Sequence, residues 1–347
     1  MIIKRHPIKE LFHKHLARLN PVSFGYVMAT GALSTALYVT GWFVLSDIFL
    51  LFALLGYLFL VGLFSWRGIA YSQLVLSEIS AIPPLFKYLT FSAGSNSLAT
   101  RLVIDGYVKS GFILAFIGII SCLGLIYAIF CRMFFHRKAS IQEISPIWLL
   151  MAIACHSCGI SLTALWMDGA LAHPFFLLFV FSFWSFGVFI YIIFMALNIY
   201  RMLFLPFGGK DLHPAYWTCM GAAAIAVFDG SQLILVEHMP VFIQVAKPFI
   251  EGMILLLWAW GSAWIPILLI MGGWKYGYFN MPFRYHPSLW AAVFPLGIYT
   301  LATYALLSHF HMDFLSPLVS FDLAVTFFAW ILVAYKSRLV PWTGDGD

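Results

Sequence analysis

The chain has 347 residues, 63% of them hydrophobic and only 10% charged, with a formal net charge of +5. That balance excludes a soluble globular domain and fits a polytopic membrane protein, and nothing in it resembles a nucleic-acid-binding surface. Apolar runs of roughly twenty residues, enough to cross about 30 Å of hydrocarbon, recur from end to end and leave no room for a separate soluble domain.

The amino terminus, MIIKRHPIKELFHKHLARLNP, lacks the short apolar core and small-residue cleavage site of a secretory signal. Ile8, Leu11, Phe12, His15, Leu16 and Leu19 fall at helical spacing, with Lys9, Lys14 and Arg18 between them. Residues 1–20 therefore read either as a cytoplasmic amphipathic helix on an anionic leaflet or as a frayed basic tail. Nine apolar spans follow, at 21–43, 46–66, 110–133, 146–168, 173–204, 214–237, 243–272, 287–309 and 314–337. Residues 338–347 form a cytoplasmic tail, so that 21–337 is one membrane domain.

Between the second and third of these runs lies LFKYLTFSAGSNSLATRLVIDGYV, residues 85–108, too polar to be an obvious crossing. Basic residues decide its status, because Lys and Arg concentrate in cytoplasmic loops. If the stretch crosses, then Arg132, Arg137 and Lys138, Arg201 with Lys210, Lys275 with Arg284, and Lys336 with Arg338 all share the side of the basic amino terminus. If it does not, those clusters move outside, and the turns carrying Asp168, Glu237 and Asp313 move in. Charge thus favours ten crossings with both termini cytoplasmic. Lys87, Arg101 and Asp105 lie near the ends of the stretch, where long side chains can snorkel, and Arg101 and Asp105 are spaced to pair. Its middle cannot face lipid all round and belongs inside the bundle or along an aqueous path, so Gly94, Ser95 and Asn96 count among the pore-lining residues.

Ala, Gly, Ser and Thr make up roughly two-fifths of the odd-numbered spans and under a quarter of the even ones, which are rich in Phe, Leu and Ile. Short connections make consecutive spans antiparallel hairpins. Five hairpins, each with one small-residue and one greasy helix, suggest an inner ring of five odd-numbered helices around a pore; an irregular bundle with close crossings is the alternative. Gly25, Gly31, Gly94, Gly159, Gly221, Gly230, Pro295 and Gly297 are expected to kink these helices and to free backbone groups beside a cavity.

NPVSFGYVMATGAL in the first span, YWTCMGAAAIAV in the seventh, WAWGSAWIPIL in the eighth and LWAAVFPLGIYTLATYAL in the ninth resemble the tellurite-resistance/dicarboxylate transporter family. That family includes the bacterial tellurite-resistance protein, plant slow anion channels, and fungal malate permeases and sulfite pumps. The resemblance runs from Pro21 to Tyr335. It implies an all-α, ten-helix protomer in the cell inner membrane, commonly a homotrimer, passing anions such as chloride, nitrate, sulfite, tellurite or a dicarboxylate. It further implies a phenylalanine plug on the ninth helix, which falls on Phe294, with Phe24 among the pore-lining residues.

Arg101, Lys109 and Lys247 are the basic residues assigned to the outer side; they either attract anions to that mouth or anchor helix ends, and Lys247 is spaced to pair with Glu251. His156 and Asp229 sit deep in odd-numbered spans, where ionisable groups usually face a cavity or a partner. Asp322, on the greasy tenth span, reads as a hydrogen bonder between helices or protomers. CHSC at 155–158 has neither the order of haem attachment nor a second Cys pair for zinc, and no metal or cofactor is expected. FGGKD at 207–211 is too short for a phosphate loop. The reading is an anion channel or facilitator and not an enzyme, with a proton-coupled dicarboxylate or sulfite carrier as the alternative.

Overall fold

The computed structural model describes residues 13, 15–136, 140–236 and 239–339. Much of the amino-terminal amphipathic segment, with Ile8, Lys9, Leu11, Phe12 and Lys14, lies outside the described residues, as do Arg137, Lys138, Glu237 and most of the tail. The described residues are mostly helical, without a strand.

Five helices begin in the same way. A proline opens a short 3-10 turn or helix at positions 21, 83, 146, 214 and 287, spacings of 62, 63, 68 and 73 residues. Proline has no N–H to leave unpaired in a first turn, and its φ is already helical. Asn20, Ser145 and His286 precede three of these prolines and cap the turns, their side chains accepting from Val22, Ile147 and Ser288 N–H groups. The helices that follow are α1 (Gly25–Val39), α5 (Leu89–Ile104), α7 (Leu150–Met167), α9 (Thr218–Ile234) and α11 (Trp290–Phe310). Left-handed residues stop four of them, Gly41, Gly106 and Gly169 after the first three and His311 after α11. The chain thus carries a fivefold start pattern with a left-handed stop after four of the five helices.

Each is followed by a partner rich in large apolar side chains: α2 (Phe43–Ala70), α6 (Val108–Cys131), α8 (Phe175–Phe204), α10 (Val241–Gly273) and α12 (Ser316–Leu339). Burial separates the two sets. In Pro146–Met167, 89% of the most apolar stretch is buried, whereas in Asp313–Ser337 only 17% is. Phe and Leu on the second set, such as Phe116, Phe189, Leu269 and Phe328, stand exposed where lipid would cover them. The small-residue helices touch one another in sequence: α1 with α5, α5 with α7, α7 with α9, α9 with α11, and α11 with α1.

Two short helices were not expected. α3 (Ser72–Ser80) and α4 (Ile82–Lys87) come between α2 and α5, and the chain bends by 102° between Ser72–Ser80 and Ile82–Ile104. Extended backbone at Ala81 and the prolines at 83 and 84 make the bend, and α2 reaches Ala70 where an end near 66 was expected. Arg67, 1% exposed, holds the corner by donating to Glu78 and to the Ala17 carbonyl, and Tyr88 donates to the same carboxylate at 2.9 Å. Among the described residues, eight helices are long and apolar enough to cross a membrane, or nine if the bent pair is one span. α9 has 17 residues, about 26 Å at 1.5 Å per residue.

Candidate functional site

Three cavities lie one after another between the small-residue helices, and every one of the five helices contributes to each. The first is lined by helix starts: Val22 and Gly25, Thr90, Ile147, Ala215 with Thr218, and Ser288 with Trp290. The second is lined by helix middles, among them Thr35, Thr100, Ser157, Ile225 and Phe294. The third is lined by helix ends, including Val39, Ile104, Met167, Gln232 and Ser308. All five helices therefore run in one direction along a shared lumen. Their positive dipole ends converge on the first cavity.

The lumen is narrow and nearly uncharged. The first two cavities hold about 30 Å³ each, space for one or two water-sized particles, and the third opens to about 350 Å³. Phe294 is 4% exposed and is the one residue common to the walls of the first and second. Among the described lining residues only Asp168, in the third cavity, carries a charge. Polar character comes from hydroxyls: Thr35 donates to Gly31 O and Thr100 to Asn96 O, both at 3.0 Å, and Ser157 to Ala154 O at 2.7 Å.

Several residues expected at the lumen lie elsewhere. Phe24 turns towards α2, packing on Tyr57, Phe64 and Phe91. Ser95 also faces α2, 2.9 Å from the Tyr57 hydroxyl. Asn96 reaches the middle cavity wall, yet its amide is spent between helices, donating to Cys158 Sγ at 3.3 Å and accepting from Ser161 at 2.8 Å. Of the glycines expected there, Gly25 alone lines one of the three cavities. The others stand where helices touch: Gly31 against Ser97, Gly94 against Val27, Gly221 against Pro295, Gly230 against Trp184, and Gly297 against Ala32. They permit close approach and are not seen to break their helices; α11 continues through Pro295.

His156 and Asp229 meet. Their Nδ1 and Oδ2 atoms are 2.9 Å apart with both side chains fully buried, while His156 Nε2 and Asp229 Oδ1 have no hydrogen-bond partner among the described residues. Gly159 makes room for the carboxylate and Gly187 of α8 for the imidazole. Neither residue lines any of the three cavities, although their neighbours Ser157 and Phe228 do.

Arg101 does not snorkel. It is fully buried, bonded to Asp105, to Ser46 at 2.9 Å and to Asp47 at 3.2 Å, and stacked over Tyr38. Lys247 lies 3.9 Å from Glu251, which also meets His309 at 3.3 Å, and Lys109 is exposed. Asp322 is 9% exposed, and its Oδ2 has no partner among the described residues. At the helix-start end, Lys87, His213 and Lys275 are close enough to His286 to act on its charge. That basic cluster was not anticipated, and neither was the placing of Phe228 in the walls of both the second and third cavities. The evenly spaced prolines carried the signal for the helix starts; no local pattern marked Phe228.

The model of the voltage-dependent anion channel family matches residues 18–337. An uncharacterized transporter of Methanocaldococcus jannaschii is 24% identical over 343 residues, covering 93% of this chain and 94% of that protein. A second from the same organism is 23% identical over 346 residues and 94% of each. An uncharacterized membrane protein of Mycobacterium tuberculosis is 32% identical over 145 residues, 42% of this chain and 73% of that protein.

Proposed function

The chain belongs to the voltage-dependent anion channel family, and from that premise we propose that its lumen is an anion pore plugged by Phe294. The observation that carries the proposal is the position of that ring, the sole shared wall between the first two of three aligned cavities. The ion path runs along the axis of an inner ring formed by α1, α5, α7, α9 and α11, each paired as a hairpin with the lipid-facing helix after it. The reading has ten crossings, and it is supported by α5 and α9 lining all three cavities beside α1, α7 and α11. The basic helix-start face is cytoplasmic by the positive-inside rule, in an inner membrane and with both termini inside.

Anion preference has a physical source in this arrangement. Five helix N-termini with Lys87 and Lys275 give the cytoplasmic mouth a positive potential, and the first two cavities offer no carboxylate to repel the ion. The narrow cavities favour small anions such as chloride or nitrate over dicarboxylates. In reconstituted planar bilayers with symmetrical chloride, Phe294→Ala is expected to raise the current by at least about tenfold, the scale of removing an apolar constriction. A correctly folded Phe294→Ala protein that passes no more current than the unchanged one overturns the proposal.

A coupled carrier on the same scaffold is the second reading, supported by the buried His156–Asp229 pair with its two unpartnered atoms. It requires uptake of a dicarboxylate or sulfite that depends on a proton gradient and is lost in Asp229→Asn.

A further inference from the structure

The middle cavity has a second aromatic end. Its boundary with the wide third cavity consists of Thr35, Thr100, Ile160 and Phe228, one residue each from α1, α5, α7 and α9. Phe228 is the bulkiest of the four and is 7% exposed. Phe294 closes the opposite end. We infer that Phe228 is a second plug in series with Phe294, and that the chamber between the two rings binds one small, singly charged, largely dehydrated anion of the halide or nitrate class. The inference rests on the anion-pore reading of the lumen and adds to it a site and a second barrier.

The chamber's chemistry fits that ligand. At about 30 Å³ it has no room for an anion with its hydration shell. Its wall carries no charged side chain, so the ion has neither a fixed counter-charge to trap it nor a carboxylate to repel it. What the wall offers is hydroxyl donors from Thr35, Thr100 and Ser157, facing in from three helices. Each donates to a carbonyl three or four residues back on its own helix. Such bonds add little to a helix that is already fully bonded, and rotation about one side-chain torsion releases the proton to an anion. Binding is then moderate and reversible, as conduction requires.

The neighbouring residue limits how the second plug can open. Asp229 is tied to His156 of α7 at 2.9 Å, and its carboxylate lies against Gly159 of the same helix. Turning α9 about its axis would break that contact. Phe228 therefore clears the path by swinging its ring towards the wide third cavity, which has the space to receive it.

Four proteins test the inference in planar bilayers with chloride as the only permeant anion: the unchanged chain, Phe294→Ala, Phe228→Ala and the double variant, each shown to be monodisperse with a cooperative melt. Two barriers in series predict that Phe228→Ala alone changes the current little while Phe294 remains, and that it raises the current of Phe294→Ala by about threefold or more. A double variant that conducts no better than Phe294→Ala overturns the second plug and leaves the pore reading intact. If Phe294→Ala passes no more current than the unchanged chain, the pore reading itself fails, whatever the double variant does. For the site, Thr100→Val in the Phe294→Ala background is expected to shift relative permeability from chloride towards iodide, which is more weakly hydrated. Unchanged permeability ratios would remove the hydroxyl site.

Discussion

His156 and Asp229 form a fully buried acid–base contact of 2.9 Å between α7 and α9, in a space that exists because residues 159 and 187 are glycines. A Cβ at 159 would lie 2.4 Å from Asp229 Oδ1, and one at 187 would lie 2.6 Å from His156 Nε2. Cutting such a pair strands the remaining polar group, at a cost of about 3–5 kcal/mol. Asp229→Ala is therefore expected to lower the thermal unfolding midpoint in detergent strongly. Asp229→Asn keeps an acceptor for the imidazole and should lower it less. Equal midpoints for the two variants would mean that the contact does not hold α7 to α9.

Gly221 presses on Pro295, one residue from the proposed plug. A Cβ there would lie 2.7 and 2.8 Å from the proline ring and 3.1 Å from its Cα, and a proline ring has no rotamer by which to withdraw. Gly221→Ala should cost about 1–3 kcal/mol through overpacking. Gly62 of α2 provides the control, since a Cβ there meets nothing within 4 Å. Gly62→Ala should be neutral or slightly stabilising, because alanine is the better helix former. Matching losses in the two variants would show that the α9–α11 contact is looser than described.

The sequence carried much of the architecture and little of the lumen. Span positions were legible because crossing hydrocarbon sets a length and a composition, and the charge distribution spoke for residues 85–108 as a crossing. Burial all round is what hid the rest. Helices such as α7 and α11 have no polar face, so apolar periodicity cannot say which side meets the lumen, a sister helix or the lipid-facing layer. Phe24 and Ser95 were for that reason assigned to the pore although both face α2. Asp229 and His156 were each legible as buried, but their pairing depends on a contact 73 residues apart in sequence. The prolines at 21, 83, 146, 214 and 287 form a readable repeat that composition alone does not reveal.

His286 links pH to stability at the basic end. Its Nδ1 accepts from the Ser288 N–H at 3.1 Å, capping the turn that leads into α11. Burial holds its pKa below the ordinary value of 6.5, and the charges of Lys87, His213 and Lys275 push in the same direction. A base with a lowered folded pKa binds protons more readily when unfolded. The stability it supports is complete above 6.5 and is lost as pH falls below that value towards the folded pKa. The melting midpoint should drop between neutral and mildly acidic buffer. His286→Asn, which retains a capping oxygen without titrating, should make the drop smaller. An identical pH profile in that variant would assign the effect to other groups.

Arg101 is expected to act as a lock and not as an attractor of anions. Its guanidinium is fully buried, while its partners differ in exposure: the Asp47 side chain is 68% exposed and that of Asp105 is 18% exposed. Removing the arginine returns two carboxylates to sites near water, whereas removing both acids leaves a buried cation with hydroxyl and aromatic partners alone. Asp47→Ala with Asp105→Ala should therefore cost about 3–5 kcal/mol, and Arg101→Met clearly less. Because the charge is already neutralised by its two partners, Arg101→Met should also leave chloride conductance in the Phe294→Ala background within about twofold, where loss of an unpaired steering charge would lower it further at low salt. A steep, salt-dependent fall in conductance would instead give Arg101 a part in drawing anions to the outer mouth.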